Sequence, residues 1–180
     1  MVISIEFLLF MTNEIQNKYN WSVSHSEIIH ADVQKVWEII SMKSNLELFH
    51  PFCNKNPVIE WSKEKSIDEI EYLNGMVLRR NFSYWEENRG YDLYINQKGK
   101  PSSYVSWRLL DKNDSSELLI KIFPYLYNQG SKAKNILPFY IFVNPLLKTY
   151  LQSVVKGLKF YIERGQKVTK NQFGKHSWFS

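Results

Sequence analysis

Glu27-Ile28-Ile29-His30-Ala31-Asp32-Val33-Gln34-Lys35-Val36-Trp37-Glu38-Ile39-Ile40-Ser41 contains the change of period that decides the fold. The residues from Trp21 to Ala31 are rich in β-formers and read as a strand. Asp32 then offers a helix N-cap, because its carboxylate can accept from the free N–H groups of a first turn. Behind it, Val33, Val36, Trp37 and Ile40 recur at helical spacing and make one apolar stripe on a short helix. Ser44 to Phe49 suits a second short helix. His50-Pro51 ends it, since proline disfavours helical geometry in the residue before it.

Beyond this opening the pattern changes to strands. Pro57–Trp61, Ile67–Leu73, Val77–Glu86, Tyr91–Gln97, Tyr104–Leu110 and Leu118–Phe123 are separated by short turn chemistries such as Asn74-Gly75 and Asn88-Arg89-Gly90. With the first strand, this predicts a seven-stranded antiparallel sheet, largely a meander. Tyr125 to Asn135 reads as a polar connection. From Pro145, the residues Leu147, Leu151, Val154, Leu158 and Tyr161 or Ile162 repeat with helical period, and Gly165 is a fitting C-cap. The expected architecture is α+β: a curved sheet, two short helices and a long C-terminal helix that closes the sheet around an apolar cavity.

Length and composition agree with one domain. The chain has 180 residues, of which 44% are hydrophobic and 16% aromatic, with a formal net charge of +5. Acidic and basic residues alternate along most of the chain, so the mild basicity fits a solvated surface better than nucleic-acid binding. The lone Cys53 excludes an intramolecular disulfide and is expected to be a structural thiol. The run Val2–Met11 is short and contains Glu6, which argues against a signal peptide or membrane span. Residues 1–20 are therefore expected to be an N-terminal extension, 21–165 the domain, and 166–180 a basic and aromatic tail. A cytoplasmic location is the matching expectation.

The strand ending in a small residue, the Val36-Trp37 helix, Asn45-Leu46 and His50-Pro51 together resemble the opening of SRPBCC, or START-like, helix-grip proteins. Element order and the final helix extend the resemblance over about residues 21–165. The resemblance implies a cavity for a hydrophobic small molecule. It leaves several branches open, among them lipid carriers, plant allergen-like binders, aromatic polyketide cyclases and hormone receptors.

In such a fold, strand parity and the inner helix face select the candidate cavity residues. On Val77–Glu86 the more apolar face holds Leu78, Phe82 and Tyr84, and it includes Arg80. A guanidinium there clamps a ligand carboxylate or phosphate, or pairs with an acid on a neighbouring strand. On the first strand His25 and Glu27 share a face with Val23 and Ile29. They either orient a ligand or sit in water at the rim. Tyr72, Trp107 and Tyr161 are expected inward, as are Leu151, Val154 and Leu158 of the long helix; for the aromatic residues, core packing is the simpler role. His50 belongs either to the cavity mouth or to the loop. No sequence motif indicates a catalytic group, a cofactor or a metal; His25, His30 and Glu27 lack further ligands. The apolar run 136–147 next to basic residues suits transient contact with an anionic membrane, but burial under the sheet or in a dimer is the simpler expectation.

The leading functional expectation is binding or transport of a hydrophobic molecule such as a lipid, fatty acid or isoprenoid. The first alternative is an enzyme of the cyclase or dehydratase kind acting on an aromatic or polyketide substrate. The second is a protein-interaction module.

Overall fold

A computed structural model describes residues 18–180. The strand β1 (Val23–Ile29) is followed by α1 (Val33–Ile40) and α2 (Leu46–Phe49). Asp32 caps α1 as expected, its side chain accepting from the Lys35 N–H at 2.7 Å. Next come β2 (Cys53–Lys55), β3 (Val58–Glu60), β4 (Ile67–Tyr72), β5 (Val77–Glu86), β6 (Gly90–Asn96), β7 (Ser103–Asp111) and β8 (Ser116–Phe123). A short helix α3 (Lys132–Pro138) runs through a π-helical turn (Phe139–Val143) into α4 (Asn144–Arg164).

The sheet is antiparallel, in the order β1-β8-β7-β6-β5-β4-β2, with β3 also on β4. Both β2 and β3 pair with β4, so they act as one interrupted outer strand. The seven strands expected from sequence are present; the three-residue β2 is the addition. The connection 125–135 is less irregular than expected, since α3 begins at Lys132. Pro145 lies in the first turn of α4, directly after the π-helical turn.

The core fills the concave side of the sheet. Leu118 and Ile120 of β8 face Leu151, Val154 and Leu158 of α4, all nearly inaccessible. The segment after α4 returns to the body. The Val168 N–H donates to the Leu48 carbonyl and that of Asn171 to the Pro51 carbonyl, each at 2.9 Å. Phe179 ends buried, stacked on Tyr72 with ring centroids 4.4 Å apart. At the other end, Tyr19 donates its hydroxyl to the Ser102 carbonyl at 2.7 Å.

The close crossing of α4 over α2 depends on Gly157. A Cβ there would lie 2.1 Å from the Phe49 carbonyl oxygen. Gly157→Ala gains helix propensity of about 1 kcal/mol. The backbone clash reverses the sign, and a net loss of about 2–3 kcal/mol is expected. Urea unfolding of the variant checks this; a stabilised protein contradicts the packing.

Candidate functional site

Between the concave face of the sheet and the N-terminal half of α4 lies a cavity of about 170 Å³. Tyr72, Leu78, Ile95, Val105 and Ile122 of the sheet form one wall, and Val143, Leu147 and Tyr150 of the helical side form another. Trp178 and Phe179 of the C-terminal segment form a third, and Leu126, half exposed, stands at the edge. Phe82, Trp85, Tyr91 and Trp107 pack ring to ring, with Trp37 against Trp85 and Tyr91. A dry cavity of about 150 Å³ holds one benzene ring. A guest of one ring, or two with one end at the mouth, suits this volume, whereas drug-sized ligands occupy about 300 Å³ or more.

Tyr150 and Tyr72 of the cavity wall form a hydrogen-bonded chain with His50. His50 Nδ1 accepts from the Phe52 N–H at 3.2 Å, which places the imidazole hydrogen on Nε2. Nε2 donates to Tyr150 Oη at 2.9 Å, and Tyr150 Oη lies 3.0 Å from Tyr72 Oη. His50, Tyr150 and Tyr72 thus bring three hydrogens to two contacts. Whichever tyrosine donates to the other, one hydroxyl hydrogen has no acceptor among the described residues. Both tyrosines line the cavity.

Burial sets the protonation of this chain. It lowers the His50 pKa to about 3, with the nearby Arg80 charge acting in the same direction. It raises the Tyr150 pKa to about 12, and holds Tyr72 well above its ordinary value with help from Tyr150 beside it. All three are neutral through the physiological range. Burial likewise pushes the Cys53 thiol to about 12, which keeps it protonated and inert.

These shifts carry a stability prediction. In the unfolded chain His50 binds a proton near pH 6.5, but in the folded protein only near pH 3. The unfolded state therefore takes up the proton first. The His50 contribution is complete above pH 6.5 and is lost as the pH falls toward 3, by up to about 1.4 kcal/mol per pH unit. Urea midpoints measured from pH 7.5 to 4 should fall less steeply for His50→Gln than for the parent; equal slopes contradict the burial.

Arg80 faces inward as expected, but its charge is matched within the protein. Its Nε donates to Asp68 Oδ1 at 2.7 Å, its terminal nitrogen bonds Asp68 Oδ2, and Asn56 also donates to that carboxylate. Burial opposes the guanidinium charge; Asp68 outweighs it and keeps Arg80 ionised. Pairing with a neighbouring strand is the role the geometry gives Arg80, in place of a ligand clamp.

Leu78 and Tyr72 line the cavity. Phe82 and Trp107 are in the core beyond it, as are Leu151, Val154 and Leu158. Tyr161 packs against that core, half-buried and away from the cavity. Tyr84 requires a correction. A bulge between Phe82 and Tyr84 shifts the register, so Trp85 turns inward and Tyr84 turns outward. There it bonds Glu86 and lies beneath the Arg108 guanidinium, 5.3 Å from the ring centroid. His25 and Glu27 are on the inner face but at the sheet edge, where Lys159 Nζ bonds Glu27 Oε1 at 2.9 Å. They belong to the solvated rim and line no part of the cavity. Sequence reasoning missed Tyr150, which follows Leu147 by three residues on the same helical stripe. It also missed Trp178 and Phe179, for which no local period signals an inward return. Among the described residues, no group of acids, histidines and cysteines converges to hold a metal.

No family model and no curated protein matches the chain by sequence. Solved structures match it as a fold. A protein of the dynemicin biosynthetic locus aligns with a TM-score of 0.63 at 14% identity, covering 83% of this chain; the chain spans about half of that protein (51%). The Zhui aromatase/cyclase of a Streptomyces species aligns with a TM-score of 0.61 at 11% identity, over 80% of this chain and 94% of that one. A protein of unknown function from Staphylococcus aureus gives 0.64 at 10% identity, over 81% and 94%. The chain shares the helix-grip fold of these structures.

Proposed function

We propose that this protein is an enzyme of the cyclase or dehydratase kind, acting on a small ring-bearing carbonyl compound. The observation that carries this reading is the unmatched hydroxyl hydrogen of the Tyr150–Tyr72 pair, held by His50 inside a cavity of one- to two-ring size. The fold shared with an aromatase/cyclase adds support. A substrate carbonyl oxygen accepts that hydrogen bond. As the proton on the adjacent carbon leaves to water at the mouth, negative charge grows on the carbonyl oxygen and the hydrogen bond strengthens. A hydroxyl on the next carbon then departs and takes up a proton as water. The net change is loss of water and formation of a conjugated double bond. The chain's residues supply placement and charge stabilisation; none of the three cavity groups is a base at neutral pH.

Deuterium exchange at the α-carbon of 1-tetralone, followed by NMR in heavy water, tests the reading. Exchange faster than in buffer, at a rate proportional to protein, supports it. Binding without accelerated exchange favours the second reading, a carrier of the same class of molecule. The neutrality of all three cavity groups is the observation in that reading's favour.

A further inference from the structure

Around the cavity mouth the surface is apolar in a way the proposed chemistry does not use. Ile136, Leu137, Tyr140, Ile141 and Phe142 are each about half exposed or more, from 47% to 66%. They occupy α3 and the π-helical turn. Their neighbour Val143 lines the cavity together with Leu126, itself 50% exposed and flanked by the exposed Tyr125 and Tyr127. Burial under the sheet, the simpler expectation from sequence, does not hold for these side chains. Along the chain, the charge on either side of them has one sign. From Leu118 to Ile162 the chain has no Asp or Glu and six lysines, and Lys132, Lys134 and Lys148, all exposed, bracket the apolar run. From Lys18 to Glu117 acids and bases are interleaved. An apolar patch set within lysines, with tyrosines at its edge, matches the boundary of an anionic bilayer, where acyl chains, headgroups and negative charge occur at successive depths.

We infer that the face formed by residues 125–148 docks on anionic lipid and brings the mouth of the cavity against the bilayer. Contact is interfacial, since no helix among the described residues is long and apolar enough to cross a membrane. A hydrophobic guest then enters from lipid without crossing water. The inference stands apart from the reaction, because docking needs no turnover.

Vesicle co-sedimentation of the full chain tests it, with phosphatidylcholine vesicles compared with vesicles containing one third phosphatidylglycerol. The protein should pellet with the anionic vesicles, stay largely in solution with the neutral ones, and be released by high salt. The triple substitution Lys132→Gln, Lys134→Gln, Lys148→Gln should weaken partition about a hundredfold. Leu137→Glu with Phe142→Glu should abolish it while circular dichroism stays unchanged. These positions are exposed, so the fold is expected to tolerate them. No pelleting with anionic vesicles overturns the inference. So does a stable dimer in sedimentation velocity that dissociates on Leu137→Glu, because a second copy then covers the face.

Discussion

Arg80→Met should destabilise the protein by about 3–5 kcal/mol, the usual cost of leaving one partner of a buried ion pair alone. Asp68 is fully buried and Arg80 only 4% exposed, so no water replaces the lost guanidinium. Asn56 can donate one hydrogen bond to the remaining carboxylate but cannot neutralise it. For a chain of this size the loss corresponds to a Tm lower by about 10 °C. The paired substitution Arg80→Met with Asp68→Leu removes both charges and should recover most of the stability, since a well-packed apolar pair often equals a buried salt bridge. Thermal unfolding of the three proteins measures this directly. A single variant as stable as the parent would mean that Arg80 carries no internal pair and is free to receive a ligand.

Tyr150→Phe should lower turnover of a ring ketone by about a hundredfold, the scale of losing one preorganised donor to a developing oxyanion. The substitution leaves the ring stacked near Phe52 and Phe179 and removes only the oxygen between His50 and Tyr72. It also orphans the His50 Nε2 hydrogen, so a stability loss of about 1–3 kcal/mol accompanies it. KM should rise by about the tenfold that the lost ground-state hydrogen bond contributes, while kcat falls further, which separates a role in the transition state from simple loss of binding. The pH profile gives an independent check. His50 gains a proton only near pH 3, and Tyr150 ionises near 12. The rate should show no inflection from these groups between about pH 5 and 10. A histidine inflection near 6.5 would mean that His50 is in contact with water, against its burial.

Much of the framework was legible locally. The Asp32 cap, the Val36-Trp37 stripe and the Asn74-Gly75 turn each follow from a few adjacent residues. The turn even fixes the Arg80 partner: Asp68 and Arg80 stand opposite each other across the hairpin, equally far from Asn74. Parity on β5 was correct for Leu78, Arg80 and Phe82. It failed at Tyr84 because a bulge adds a residue without any signature that side-chain alternation reveals. Tyr150 was readable in principle, since it follows Leu147 by three residues on the apolar stripe of α4. The return of Trp178 and Phe179 to the cavity was not readable. It depends on backbone bonds to Leu48 and Pro51, over a hundred residues away, which no local period encodes. The rings of Phe82, Trp85, Tyr91 and Trp107 pack together beside the described cavity, which is small and has one hydrogen-bonding end, and this favours a compact ring compound over a long acyl chain.

The claim that this cavity receives a ring compound through a carbonyl oxygen is tested most directly by calorimetric titration with 1-tetralone and with tetralin. The two differ in the acceptor and hardly in shape. The account predicts saturable one-to-one binding of the ketone, about tenfold tighter than the hydrocarbon, with the difference erased in Tyr150→Phe. Equal affinity for the two, or displacement of the ketone by palmitate at matching concentration, would contradict it.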